Sequence, residues 1–142
     1  MFKRISGKPK MEWFPKKAST AFANGGLVYA DGSGAMQPAD ATSGDHFGVI
    51  LKAVTSADSD YASTTMVPVD FISPEDVLEV DVETGTLTTA MVGNAYDLVA
   101  DGDAIDVNAT SKKVVTVVGF VSATKALVKV NAMFTSFRVA TS

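Results

Sequence analysis

Leu78-Glu79-Val80-Asp81-Val82-Glu83 alternates apolar and acidic residues without a break. Side chains of a strand point to opposite faces in turn, so this stretch predicts one buried and one wetted face. The chain on either side repeats the theme. Downstream, Val114 to Val121 (VVTVVGFV) is apolar on both faces and reads as a central, buried strand. Ser122 to Thr124 turns the chain. Ala126, Val128 and Val130 then alternate with Lys125, Leu127 and Lys129, which predicts a hairpin. Upstream, Thr65, Val67, Val69 and Phe71 alternate with Met66, Pro68 and Asp70. Pro68 has no N–H to donate, so an edge position or a bulge is expected there.

Shorter signals complete the pattern. His46 to Val54 reads as a strand with Phe47, Val49, Leu51 and Ala53 on one face. Leu27 to Ala30 and Ala104 to Val107 read as short strands. Asp31-Gly32-Ser33-Gly34 is a turn cluster, and Met36 to Gly44 reads as a loop of small residues. Thr88 to Val92 predicts a single helical turn, capped by Thr88 or Thr89 and stopped by Gly93. Val occurs 19 times and Thr 14 times against six Leu. β-Branched residues suit a pleated surface, and no segment is long enough for the helix of a βαβ crossover. About seven or eight strands, with turns every 8–12 residues or so, fit a sandwich or small barrel. The expected fold is mainly β: a small β-barrel or β-tulip-like body with an extended N-terminal arm and at most one short helix. The expected division is an arm over 1–20, a body over 21–134 and a tail over 135–142.

Charge divides the same way. The net charge of −4 hides a basic leader: residues 1–17 hold Lys3, Arg4, Lys8, Lys10, Lys16 and Lys17 against Glu12 alone. The other six basic residues face fifteen acids. The chain has no Cys, which excludes disulfides and Cys-built metal sites, and its 46% hydrophobic content excludes wholesale disorder. No apolar run approaches the roughly 18–20 residues of a membrane span. Ser6 to Lys10 stand where a signal peptide needs an apolar core, so a soluble chain without an export signal is expected.

Catalytic patterns fail one by one. His46 is the only His, and no Gly-x-Ser-x-Gly elbow occurs. Asp97 to Asn108 places Gly102 correctly for a calcium loop, but Val99 and Asn108 stand where ligands are required. Asp58 and Asp60 read as turn residues in the same way. Gly32-Ser33-Gly34 lacks the third glycine of a nucleotide loop. Asn108-Ala109-Thr110 matches a glycosylation sequon that an unexported chain would not use. Glu79, Asp81 and Glu83 read as a solvated face or a patch for a basic partner. No enzyme activity, metal or cofactor is expected.

The arm is the remaining candidate site: Phe2, Lys3, Arg4, Lys8, Lys10, Trp13, Phe14, Lys16 and Lys17. Cations interleaved with aromatics can bind nucleic acid by phosphate contact and stacking. The acidic body would repel phosphate, so an acidic protein surface is the favoured partner, with the aromatics as anchors.

Three stretches carry a family resemblance. They are Phe22-Ala23-Asn24-Gly25-Gly26-Leu27-Val28 running on to Gly48-Val49, Ser56 to Ala62 leading into Val67-Pro68-Val69, and Leu87 to Leu98 followed by the hairpin ending at Asn131. Together they resemble the head decoration (cement) proteins of tailed bacteriophages. The resemblance implies a compact β body that assembles as homotrimers on the outer surface of the phage head, in the virion. It also implies a major capsid protein as partner and an N-terminal arm reaching neighbouring capsid subunits. Neither membrane nor nucleic acid is an implied partner. On this reading, deleting residues 1–17 leaves a folded body that no longer binds capsids. The competing readings are a tail-tube or spike component and an OB-like nucleic-acid-binding module.

Overall fold

The computed structural model describes residues 1–30, 34–39 and 48–131. The expectations for Asp31 to Ser33, for the end of the 36–44 loop, for His46 and Phe47 and for the 135–142 tail lie outside the described residues. Those residues form β1 (Phe2–Ser6), β2 (Met11–Pro15), β3 (Leu27–Ala30), β4 (Met36–Pro38), β5 (Gly48–Ile50) and β6 (Met66–Phe71). They continue with β7 (Val77–Thr84), a 3-10 turn at Thr89–Met91, β8 (Ala95–Leu98), β9 (Ile105–Asp106), β10 (Val115–Ser122) and β11 (Lys125–Val130). The fold is mainly β and contains a small closed barrel, with one short helical turn among the described residues.

The first sheet runs β1-β7-β11-β10-β8-β9. Its last strand, β9, returns parallel to β7 through Val82–Ile105 and Thr84–Asp106. Strands β7, β11, β10, β8 and β9 therefore close a five-stranded barrel. β1 lies beside the other half of β7, with Phe2 opposite Val80 and Arg4 opposite Leu78. The alternation in β7 has its expected effect: Leu78, Val80 and Val82 enter the barrel core, while Asp81 and Glu83 stay exposed.

The second sheet runs β2-β6-β5-β3-β4. Just past β2, Lys16 bridges Met36 in parallel, and the Lys17 amide donates to the Met36 carbonyl at 2.9 Å. The sheet thus curls back on itself around its own core, which includes Phe22, Val28, Met36, Ile50, Val67 and Val69. Phe14 and Phe71 meet edge to face over that core, centroids 5.3 Å apart at 61°.

Four expectations need correction. Residues 1–20 are extended, but not a separate arm: they contribute β1 to one sheet and β2 to the other. Met36–Pro38 is a strand, paired with Ala30–Val28, rather than loop. Val114, Val115 and Val117 are fully buried, but Val118, Phe120 and Val121 are 40–45% exposed. Register shifts between Val117 and Gly119 and between Phe120 and Ser122 leave Val118 and Val121 without opposed partners. β8 covers only Val115 and Thr116, so the outer half of β10 runs past the barrel. Finally, β6 lies between β2 and β5 without a bulge. The Pro68 carbonyl accepts from the Leu51 amide at 3.0 Å, so the missing Pro68 N–H faces the same side, just beyond the end of β5. The ladder loses little there.

Candidate functional site

The basic N-terminal segment splits into a part that holds the molecule together and a part that faces outward. In β1, Phe2 is buried in the core of the first barrel. Arg4 reaches across to the second sheet. Its Nε donates to Asp70 Oδ2 at 2.9 Å and its Nη2 to Asp70 Oδ1 at 3.0 Å and to the Phe71 carbonyl at 2.7 Å. Its Nη1 lies 2.8 Å from Asp76 Oδ2. Planar guanidinium against two carboxylates is the geometry Arg supplies and Lys does not. Both acids are otherwise tied down: Asp70 accepts from the Lys10 amide and Asp76 from the Ser73 amide, each at 2.9 Å. Burial disfavours the Arg4 charge, but Asp70 and Asp76 outweigh it and raise its pKa. Burial likewise disfavours the Asp76 carboxylate, but the Ser73 amide and Arg4 outweigh it and lower its pKa.

Gly7 makes the turn that follows. Its φ of +102° belongs to glycine, and a Cβ there would collide with Asp76 Oδ1 and crowd Arg4. The turn, the acid and the arginine therefore fit as one unit.

β2 pairs antiparallel with β6: Met11 with Asp70, Trp13 with Pro68, Pro15 with Met66. Phe14 points inward, opposite Val67. Met11, Trp13 and Pro15 therefore point outward. Ile50 pairs with Val69, which sets Leu51, just past the end of β5, beside Pro68 and completes a row Trp13–Pro68–Leu51. Trp13 is 54% exposed, Met66 52%, and Met11 and Leu51 48% each. The same outer face is covered at its other end, where Val49 enters the core of the first barrel.

The nine expected site residues thus part company. Phe2, Arg4, Phe14 and Lys16 serve the interior. Lys16 is fully buried, and its Nζ donates to the Tyr61 and Ser63 carbonyls at 2.9 and 2.6 Å. Lys3, Lys8, Lys10, Trp13 and Lys17 are exposed. Lys3 stands opposite Glu79 in the ladder. The Lys10 ammonium lies 3.7 Å from Asp76, and that of Lys17 donates to Gln37 Oε1 at 3.3 Å. Sequence reasoning missed Met11, Leu51 and Met66. The available signal was their parity: with Trp13, they are apolar residues on the face away from the core.

The acidic positions are mostly accounted for. Lys125 Nζ lies 3.7 Å from both Glu79 and Asp81, and the terminal amine of Met1 is 3.1 Å from Asp81. Asp97 is buried and accepts from the Ser111, Lys112 and Lys113 amides at 3.1, 2.7 and 2.8 Å, so it organises a loop. Asp58 and Asp60 hold their turn through the Thr55 amide and the Thr65 hydroxyl, at 2.8 and 2.7 Å. Among the described residues, no cluster of three or more His, Cys, Asp or Glu could hold a metal ion. None of their helices is long and apolar enough to cross a membrane. No protein-family model matches the chain, and no curated protein sequence matches it.

Proposed function

We propose that this chain is a structural decoration protein of a tailed-phage head, bound to the outer surface of the capsid as trimers and bridging major capsid subunits. The observation that carries the reading is the outward face of β2 and its neighbours. A half-exposed Trp and three other large apolar side chains are held on a stiff sheet rather than on a loose tail. Aromatic residues in that setting lose little conformational freedom on binding, which is why they anchor interfaces. Trimerisation has a surface of its own. Val118, Phe120 and Val121 are exposed in a run, residues 114–124, that carries no charge, so two acidic bodies can approach there. Many copies on a lattice multiply a modest affinity per contact.

The test is electron microscopy of heads assembled with and without the chain, together with their survival on heating. Added density on the outer surface and later rupture support the proposal. Heads that carry no such density at saturating protein refute it. Stacked rings of the chain alone would favour the tail-tube reading.

A further inference from the structure

We infer that the chain's partner surface is an apolar pocket bordered by carboxylates, and that it seats on the composite face of Met11, Trp13, Leu51 and Met66. This inference rests on the decoration reading, and it replaces a free arm with a preformed platform. The apolar row is assembled by register. Trp13 and Pro68 lie side by side on adjacent strands and Leu51 adjoins Pro68 just past the end of β5, with Met66 and Met11 on the flanking pairs. Such neighbours on one face of a sheet lie within reach of each other, so they form one patch.

Charge selects the occupant. Lys8 and Lys10 lead into β2, Lys17 follows it, and Lys52 adjoins Leu51, with Glu12 as the acid within β2. All four lysines are exposed. Lys10 lies 3.7 Å from Asp76 and Lys52 3.9 Å from Asp60, whereas among the described residues no carboxylate lies within ion-pair distance of Lys8 or Lys17. Lys8 and Lys17 thus flank the apolar strand at its two ends, which is complementary to a pocket rimmed by Asp and Glu. A second copy of the chain is a poorer fit. Its own β2 face would bring the same cations, and its acidic strand already spends Glu79 and Asp81 on Lys125. Phosphate-rich partners would meet the acidic body beyond the patch.

The experiment is cosedimentation of the full chain with undecorated heads, comparing wild type with Leu51→Glu/Met66→Glu, Trp13→Ala and Lys8→Glu/Lys17→Glu. A Thr86→Ala variant, exposed just past the end of β7 and in neither proposed contact surface, serves as control, and unfolding midpoints establish that each variant is folded. The apolar variants should lose about 30-fold or more in affinity, as central anchors do. The lysine variant should weaken binding and flatten its salt dependence. Heads that bind all variants like wild type would overturn the inference and leave the decoration reading standing. Wild type that fails to sediment with heads would overturn the decoration reading and this inference with it. Patch variants that break up a solution oligomer while still binding heads would assign the face to a second copy, which also overturns it.

Discussion

β1 and β2 are five residues each, successive strands of one basic, aromatic segment, and opposite in fate; β1 holds Lys3 and Arg4, whereas the cations around β2 lie just outside it. β1 turns Phe2 and Arg4 inward, one into the barrel core and the other onto Asp70 and Asp76. β2 turns Met11 and Trp13 outward and leaves Phe14 as its inward anchor. The contrast teaches that a basic, aromatic segment has no single character. What each residue does depends on which face of which sheet its strand joins, and a shift of one residue in register would exchange the roles.

The harshest way to break the comparison is to remove both strands. Deleting residues 1–17 takes a strand from each sheet along with Phe2, Arg4 and Lys16. The truncated chain should lose cooperative thermal unfolding, contrary to the expectation from sequence of a folded but non-binding body. A truncated protein with an unchanged melting transition would mean that β1 and β2 are ornaments. A single substitution sharpens the point. Phe2→Ala should cost about 3–5 kcal/mol by urea denaturation. Lys3→Ala, one residue on and facing solvent, should stay within about 0.5 kcal/mol. Equal costs would place Phe2 outside the core.

Acid probes the same joint more gently. The Asp76 pKa is lowered in the folded protein, by the Ser73 amide and Arg4 acting against burial. Its contribution to stability is therefore complete above the ordinary carboxylate pKa of about 4 and is lost as pH falls through the lower folded value. The unfolding midpoint should drop steeply below about pH 4 in the wild type. In Asp76→Asn the fall should be shallower, from a lower starting midpoint. Parallel acid limbs would show that the joint does not carry this linkage.

Much of the barrel was legible in the sequence because its strands carry their own alternation. Leu78 to Glu83 names its buried face without help from any neighbour. The N-terminal strands were not legible, because their partners lie far along the chain, Asp70 opposite Met11 and Val80 opposite Phe2. Six cations also dominate the reading of a segment in which Phe2 and Phe14 mark the inward faces. Lys16 is the extreme case. Its burial depends on the carbonyls of Tyr61 and Ser63, which no local pattern announces. Pro68 misled for a similar reason: its missing donor faces Leu51, just past the end of β5, so only the last bond of that ladder is lost. The exposed end of β10 came from two register shifts, which composition does not encode.

The most direct test sets the two strands against each other in one pair of variants, each measured twice. Arg4→Ala leaves Asp70 and Asp76 buried without their cation and should lose about 3–5 kcal/mol of stability. Trp13→Ala should leave the unfolding midpoint nearly unchanged and lose most of the affinity for heads. The account is contradicted if Trp13→Ala destabilises the protein as much as Arg4→Ala does, or if it binds heads like wild type.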